Sequence, residues 1–250
     1  MSTICLNCGH HFKGNYCPNC GQKATVERIT ATSLMADVLH VFTHLEKGFL
    51  FTTWSFLIKP GISSINYISG KRKQFQTPVS YFLIWTGLYI VLHDKIVNHF
   101  NYLLSGEVIT QLDKSGEANR LLQKHFTLFI IPAVFACALS IYYVLARPKY
   151  NFTELLVLSL YGGGTYFMML FLSDIVLGII CKVNVLNAPV FLWQTALSFL
   201  YNFWFSFDIF KRARLRLFWL RLICAAILVA ITGWIILFYL PIAWLYLTKQ

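Results

Sequence analysis

"FTELLVLSLYGGGTYFMMLFLSDIVLGII", residues 152–180, decides the fold class. Its only charged side chains are Glu154 and Asp174, and everything between them is apolar, aromatic or small. At about 1.5 Å of rise per residue, a helix of this length exceeds the roughly 30 Å of hydrocarbon in a bilayer. The stretch is therefore expected to span a membrane, with length to spare for tilting, kinking or running into the interface. Gly162, Gly163 and Gly164 mark a kink or a point of close helix packing.

The rest of the chain has the same character. Of 250 residues, 57% are hydrophobic, 17% aromatic and 12% charged, well away from a soluble average. Four further apolar stretches, 78–93, 126–146, 189–210 and 217–247, are expected to cross. The expected fold class is an all-α polytopic membrane protein of about five transmembrane helices, with a small N-terminal zinc-ribbon or zinc-knuckle module. The parts are 1–24 for that module, 25–77 for an interfacial helical region and 78–250 for the bundle. Within 34–58, apolar residues recur at helical spacing but are broken by Asp37, His40, His44 and Glu46, which predicts amphipathic helices at the surface, ended by Lys59-Pro60-Gly61. His40 and His44 share a face with Asp37 and read as interfacial histidines, since no completing metal motif accompanies them.

Charge placement orients the bundle. The formal net charge is +11, and with the N-terminus inside, fifteen of the 21 Lys and Arg residues lie in cytoplasmic segments. The positive-inside rule then gives an N-in, C-out multi-pass protein of the cell inner (cytoplasmic) membrane. No basic n-region and short apolar segment open the chain, so insertion by its own helices is expected rather than by a signal peptide. Basic clusters at Lys71, Arg72 and Lys73, and at Lys211, Arg212, Arg214 and Arg216, lie where they would meet anionic headgroups. They form no stripe that could track a phosphate backbone, which argues against nucleic acid.

The N-terminus reads differently. "CLNCGHHFKGNYCPNCGQ", residues 5–22, places Cys5, Cys8, Cys17 and Cys20 in two CxxC pairs, each followed by glycine. Such pairs fold into knuckles whose thiolates converge on one ion, and a closed shell of four suits structural zinc. An all-cysteine shell also accepts iron. So small a module cannot bury a useful core, and the metal has to supply most of its folding free energy. His10 and His11 are expected to be exposed rather than ligating.

Asp174 is the polar residue to examine within the spans, because ionisable groups in hydrocarbon are costly and are commonly functional. Asp208 lies near Lys211, where a surface ion pair suffices. Gln194 and Asn202 could hydrogen-bond across a helix interface. There is no nucleophile elbow, P-loop or dinucleotide fingerprint, so no enzyme is expected. Two functions remain. One is a non-enzymatic scaffold whose cytoplasmic zinc module docks a protein partner. The other is a small oligomeric transporter or channel using Asp174.

The N-terminal cysteine pairs, together with "HVFTHLEKGFLFTTWSFLIKPGISSINYISGKRKQFQTPVSYFLIW" at residues 40–85, resemble the DUF3667 family of bacterial membrane proteins. The "KGFL" and "KPG" turns and the run "YISGKRKQFQTPVSYFL" into the first span carry the resemblance, which covers about the first third of the chain. It implies a zinc-ribbon start on a membrane body and no particular activity.

Overall fold

A computed structural model describes residues 3–34, 48–104, 126–146, 149–183, 188–211, 216–236 and 240. The described chain is mostly helical. A two-stranded antiparallel hairpin, β1 (Thr3–Ile4) and β2 (His11–Phe12), pairs Thr3 with Phe12 and Ile4 with His11. Then come α1 (Phe49–Ile58), α2 (Pro60–Ile68), α3 (Pro78–Leu104), α4 (Phe126–Ile141), α5 (Phe152–Asp174), α6 (Ala188–Phe210) and α7 (Phe218–Trp234). Two π-helical turns, Tyr142–Ala146 and Ile175–Ile180, continue α4 and α5.

Helices α3 to α6 lie along the stretches 78–93, 126–146, 152–180 and 189–210, with α3 running past residue 93 to Leu104, and α7 covers the first part of 217–247, of which 237–239 and 241–247 lie outside the described residues. Among the described residues, one helix, Phe152–Ile180, is long and apolar enough by itself to cross a membrane. The count of five crossings is not carried by these helices alone: α3 contains His93, Asp94 and Lys95, and the described part of α7 is short. Of the interfacial region, residues 35–47, with Asp37, His40 and His44, lie outside the described residues. Lys59-Pro60-Gly61 was expected to end the helical region. It ends α1 but starts a second helix, because Pro60 at the first position of α2 has the fixed φ a helix start needs and no N–H to lose.

Local rules explain the start of α5. Asn151 Oδ1 accepts the Glu154 N–H at 2.7 Å, and Glu154 Oε2 accepts the Asn151 N–H at 2.9 Å, a reciprocal capping box written in the sequence as Asn-Phe-Thr-Glu. The triple glycine is a close-packing point. A Cβ on Gly164 would lie 2.7 Å from Tyr81 of α3, one on Gly163 would lie 3.1 Å from Phe82, and one on Gly162 would touch Phe205 of α6 at 3.4 Å.

Helices consecutive in the chain, from α3 to α6, alternate in direction. Phe82 of α3 packs on Phe167 of α5 and His93 meets Asp174, so α3 and α5 run parallel. Tyr142, following α4, packs on Phe152, and Val134 lies near Gly163, so α4 runs against α5. Phe205 near Gly162 and Gln194 bonded to Asp174 set α6 against α5 as well. The core centres on Phe56, stacked on Tyr161 at 4.2 Å between centroids, with Tyr67 edge-on to Tyr161 at 5.2 Å. The buried Tyr161 hydroxyl donates to the Gln76 carbonyl at 2.6 Å, and the Gln76 N–H donates to Thr52 Oγ1 at 2.8 Å, so α1, the turn before α3 and α5 are joined inside the core.

Candidate metal centre and buried polar site

The four cysteines converge. Each CxxC turn closes through backbone bonds of the same form: Gly9 N–H to the Cys5 carbonyl at 2.9 Å, and Gly21 N–H to the Cys17 carbonyl at 2.8 Å. Gly9 and Gly21 sit at φ 75° and 72°, the left-handed region in which a side chain is strained. The two turns bring Cys5, Cys8, Cys17 and Cys20 together with all four Sγ atoms within 4.8 Å of one another. Cys5 and Cys17 are buried against Phe12, with Cys20 and Ala24 packed alongside.

The thiols differ in proton affinity. The backbone N–H of His10, helped by Asn19, lowers Cys8 to about 6, whereas desolvation pushes Cys20 up to about 11. Four soft ligands at one point, with no fifth group among the described residues, have the chemistry of a tetrahedral structural ion. His10 and His11 are exposed and outside the set, as expected from the sequence.

This ribbon does not stand away from the helices. Gln22, directly after the second knuckle, is buried; its Nε2 donates to the Gly70 carbonyl at 2.9 Å, and its Oε1 accepts the N–H groups of Arg72 and Lys73 at 3.2 and 3.3 Å. Gly70 has φ 103°, and a Cβ there would press on Leu6 and Val26 of the ribbon at 3.0 and 3.2 Å. Further along, Arg28 grips the buried Glu154 with two bonds, Nε to Oε1 at 2.8 Å and Nη2 to Oε2 at 3.1 Å. Asn151 Nδ2 donates to the Ile29 carbonyl at 3.2 Å. The same Glu154 therefore caps α5 and anchors the ribbon.

The basic residues divide. Arg72 donates to the carbonyls of Glu27 and Tyr67 and lies over the Tyr67 ring, so it serves docking. Lys73 is exposed and Lys71 half-buried. Lys211 pairs with Asp208, as expected, but Asp208 also accepts the Gly61 N–H of α2, which sequence reasoning missed. Arg216 is exposed; Arg212 and Arg214 lie outside the described residues.

Asp174 has no solvent exposure. Its Oδ2 is 2.8 Å from His93 Nδ1, and its Oδ1 accepts Gln194 Nε2 at 2.9 Å. From the sequence it had no basic neighbour within a helical turn. The partner comes from α3, 81 residues away, and the available signal was that His93 is an ionisable residue at the end of an apolar run on a parallel helix.

No curated protein and no solved structure matches the chain. The stretch from just before α1 into α3, residues 46–90, carries the two helix starts and Gln76 already described, and it matches the family model Protein of unknown function (DUF3667), the family that the sequence resembles.

Proposed function

We propose that the chain is a multi-pass membrane scaffold, non-enzymatic, whose structural zinc ribbon forms part of a rigid cytoplasmic platform for a protein partner. The observation that carries this reading is the Gln22 clamp: the ribbon is bonded to the 70–73 loop and, through Arg28, to the start of α5. A bonded ribbon presents one fixed surface, which lowers the entropic cost of binding a partner. Beside it an open cleft is lined by Glu27, Arg28, Arg72, Lys149 and Tyr150. Zinc is the ion we assign to the four thiolates, since a closed structural shell needs no redox chemistry.

Five crossings, the N-terminus inside and an inner-membrane location are part of the proposal. The alternating helix directions support serial crossing. So does the wealth of exposed apolar side chains, including Leu88 and Val91 on α3, Leu192, Trp193 and Leu200 on α6, and Trp219, Leu220 and Ile227 on α7. A soluble monomer seldom exposes so much apolar surface. Lys71, Arg72, Lys73, Lys149 and Lys211 all lie at the ribbon end of the bundle, where anionic lipids would meet Lys71, Lys73 and Lys211.

The test is metal content of the purified full-length protein, with crosslinking in cells of wild type and of a variant carrying serine at Cys5, Cys8, Cys17 and Cys20. One zinc per chain, and loss of a crosslinked partner while the variant still inserts, is the expected result. An inserted variant that keeps every partner overturns the platform.

A second reading, a small oligomeric transporter or channel, is favoured by one observation: a fully buried carboxylate on α5, Asp174, held by a histidine of α3. Ion or proton flux into liposomes carrying the purified protein, abolished by Asp174→Asn, supports it; the same flux from wild type and variant removes it.

A further inference from the structure

Three helices meet on one buried carboxylate. Asp174 of α5 is held by His93 of α3 and Gln194 of α6, and apolar layers close the site above and below. Ile96, Val190, Leu92 and Leu177 form one layer; Tyr89, Phe167 and Trp85 belong to the other. His93 is the member that reaches the surface, its side chain 17% exposed against 0% for Asp174. The α-helical ladder changes to a π turn at the next residue, Ile175, and π turns inside helices are frequent at functional sites.

We propose that His93, Asp174 and Gln194 form a proton-binding site. The ligand is one proton, taken up on His93 Nε2 while the Nδ1–H stays directed at the Asp174 carboxylate. Uptake makes one N–H bond and turns a neutral imidazole beside a buried negative charge into an imidazolium–carboxylate pair with no net charge. An uncompensated carboxylate in apolar surroundings is costly, so the loaded site ties α3, α5 and α6 together and the unloaded site loosens them.

Few other groups compete for the proton. On α3, the Tyr89 ring stacks near His93 at 5.2 Å, and Asp94 and Lys95 are exposed at the following positions. On α5, Tyr166 lies in the aromatic layer below. The α6 member, Gln194, does not titrate. The assignment deepens the transport reading and rests on it only for the side from which the proton arrives.

Amide hydrogen exchange of the full-length protein in lipid nanodiscs, corrected for intrinsic rates, tests the site between about pH 8 and about pH 5, the range over which histidine changes charge. In wild type, protection over 175–183 and 188–200 should rise about tenfold toward the acid end. In Asp174→Asn and in His93→Gln, protection should be equal at both ends. A wild type without the change, or a folded variant that keeps it, overturns the proposal. His93→Gln changes the partly exposed member, so it remains informative if Asp174→Asn does not fold. Liposome flux is read separately: pH-dependent protection without flux leaves the proton site standing and removes transport, whereas flux without pH-dependent protection removes the proton site.

Discussion

The backbone N–H of Gly61 donates to Asp208 Oδ2 at 2.6 Å, joining the start of α2 to the end of α6 across 147 residues of sequence. A helix start has unpaired N–H groups and a partial positive charge, and here a carboxylate from another helix satisfies both. There is no room for a side chain: a Cβ on Gly61 would overlap both the carbonyl and the carboxylate of Asp208. Gly61→Ala should therefore lower stability by about 1–3 kcal/mol, the usual range for overpacking. Asp208→Asn, which keeps an acceptor but loses the charge, should cost about 1 kcal/mol or less. Thermal unfolding of the detergent-solubilised variants checks the order.

Gln22→Ala should free the ribbon without unfolding it. The substitution removes all three bonds to the 70–73 loop and leaves Gly70, Arg72 and Lys73 to find water, a loss of about 2 kcal/mol or more of docking. Limited proteolysis should then cut within 23–30 much faster than in wild type, while zinc content stays unchanged. Equal cleavage rates would mean that Arg28 and Asn151 hold the ribbon by themselves.

Chelation should unfold residues 3–24 and leave the helices in place, because the ribbon has little core beyond Phe12 and its cysteines. Amide exchange over that segment, with and without chelator, is the measurement. Binding zinc at neutral pH should release protons from the thiols still protonated there, Cys20 among them and Cys8 least, so affinity should fall as pH is lowered. Proton release in weakly buffered solution reads this directly.

Gly164→Ala should separate α5 from α3. The new methyl would meet the Tyr81 ring at 2.7 Å and the Phe82 backbone at 3.2 Å, and Tyr81 is fixed by its hydroxyl bond to Thr165 at 3.0 Å. A loss of about 1–3 kcal/mol is expected, against little effect at Gly87, where a Cβ would meet nothing within 4 Å. The pair of thermal transitions compares the two sites under one set of conditions.

Parts of this molecule are written locally. The two CxxC-Gly turns need only adjacent residues to close, so the cysteine spacing by itself determined the convergence of Cys5, Cys8, Cys17 and Cys20. Long apolar runs determined where α3 to α7 would form, since a helix satisfies its own backbone within the run. The Asn151 and Glu154 capping box is equally local. Tertiary structure alone decided the rest. His93 reaches Asp174, Asp208 reaches Gly61 and Gln22 reaches Gly70 across 81, 147 and 48 residues, and no periodicity in a chain records which face of one helix meets which face of another. Asp174 looked alone because its partners lie on other helices. Packing at the triple glycine and at Tyr81 sets the depth and rotation of α3 against α5, and that rotation brings an imidazole to within hydrogen-bond distance of a buried carboxylate.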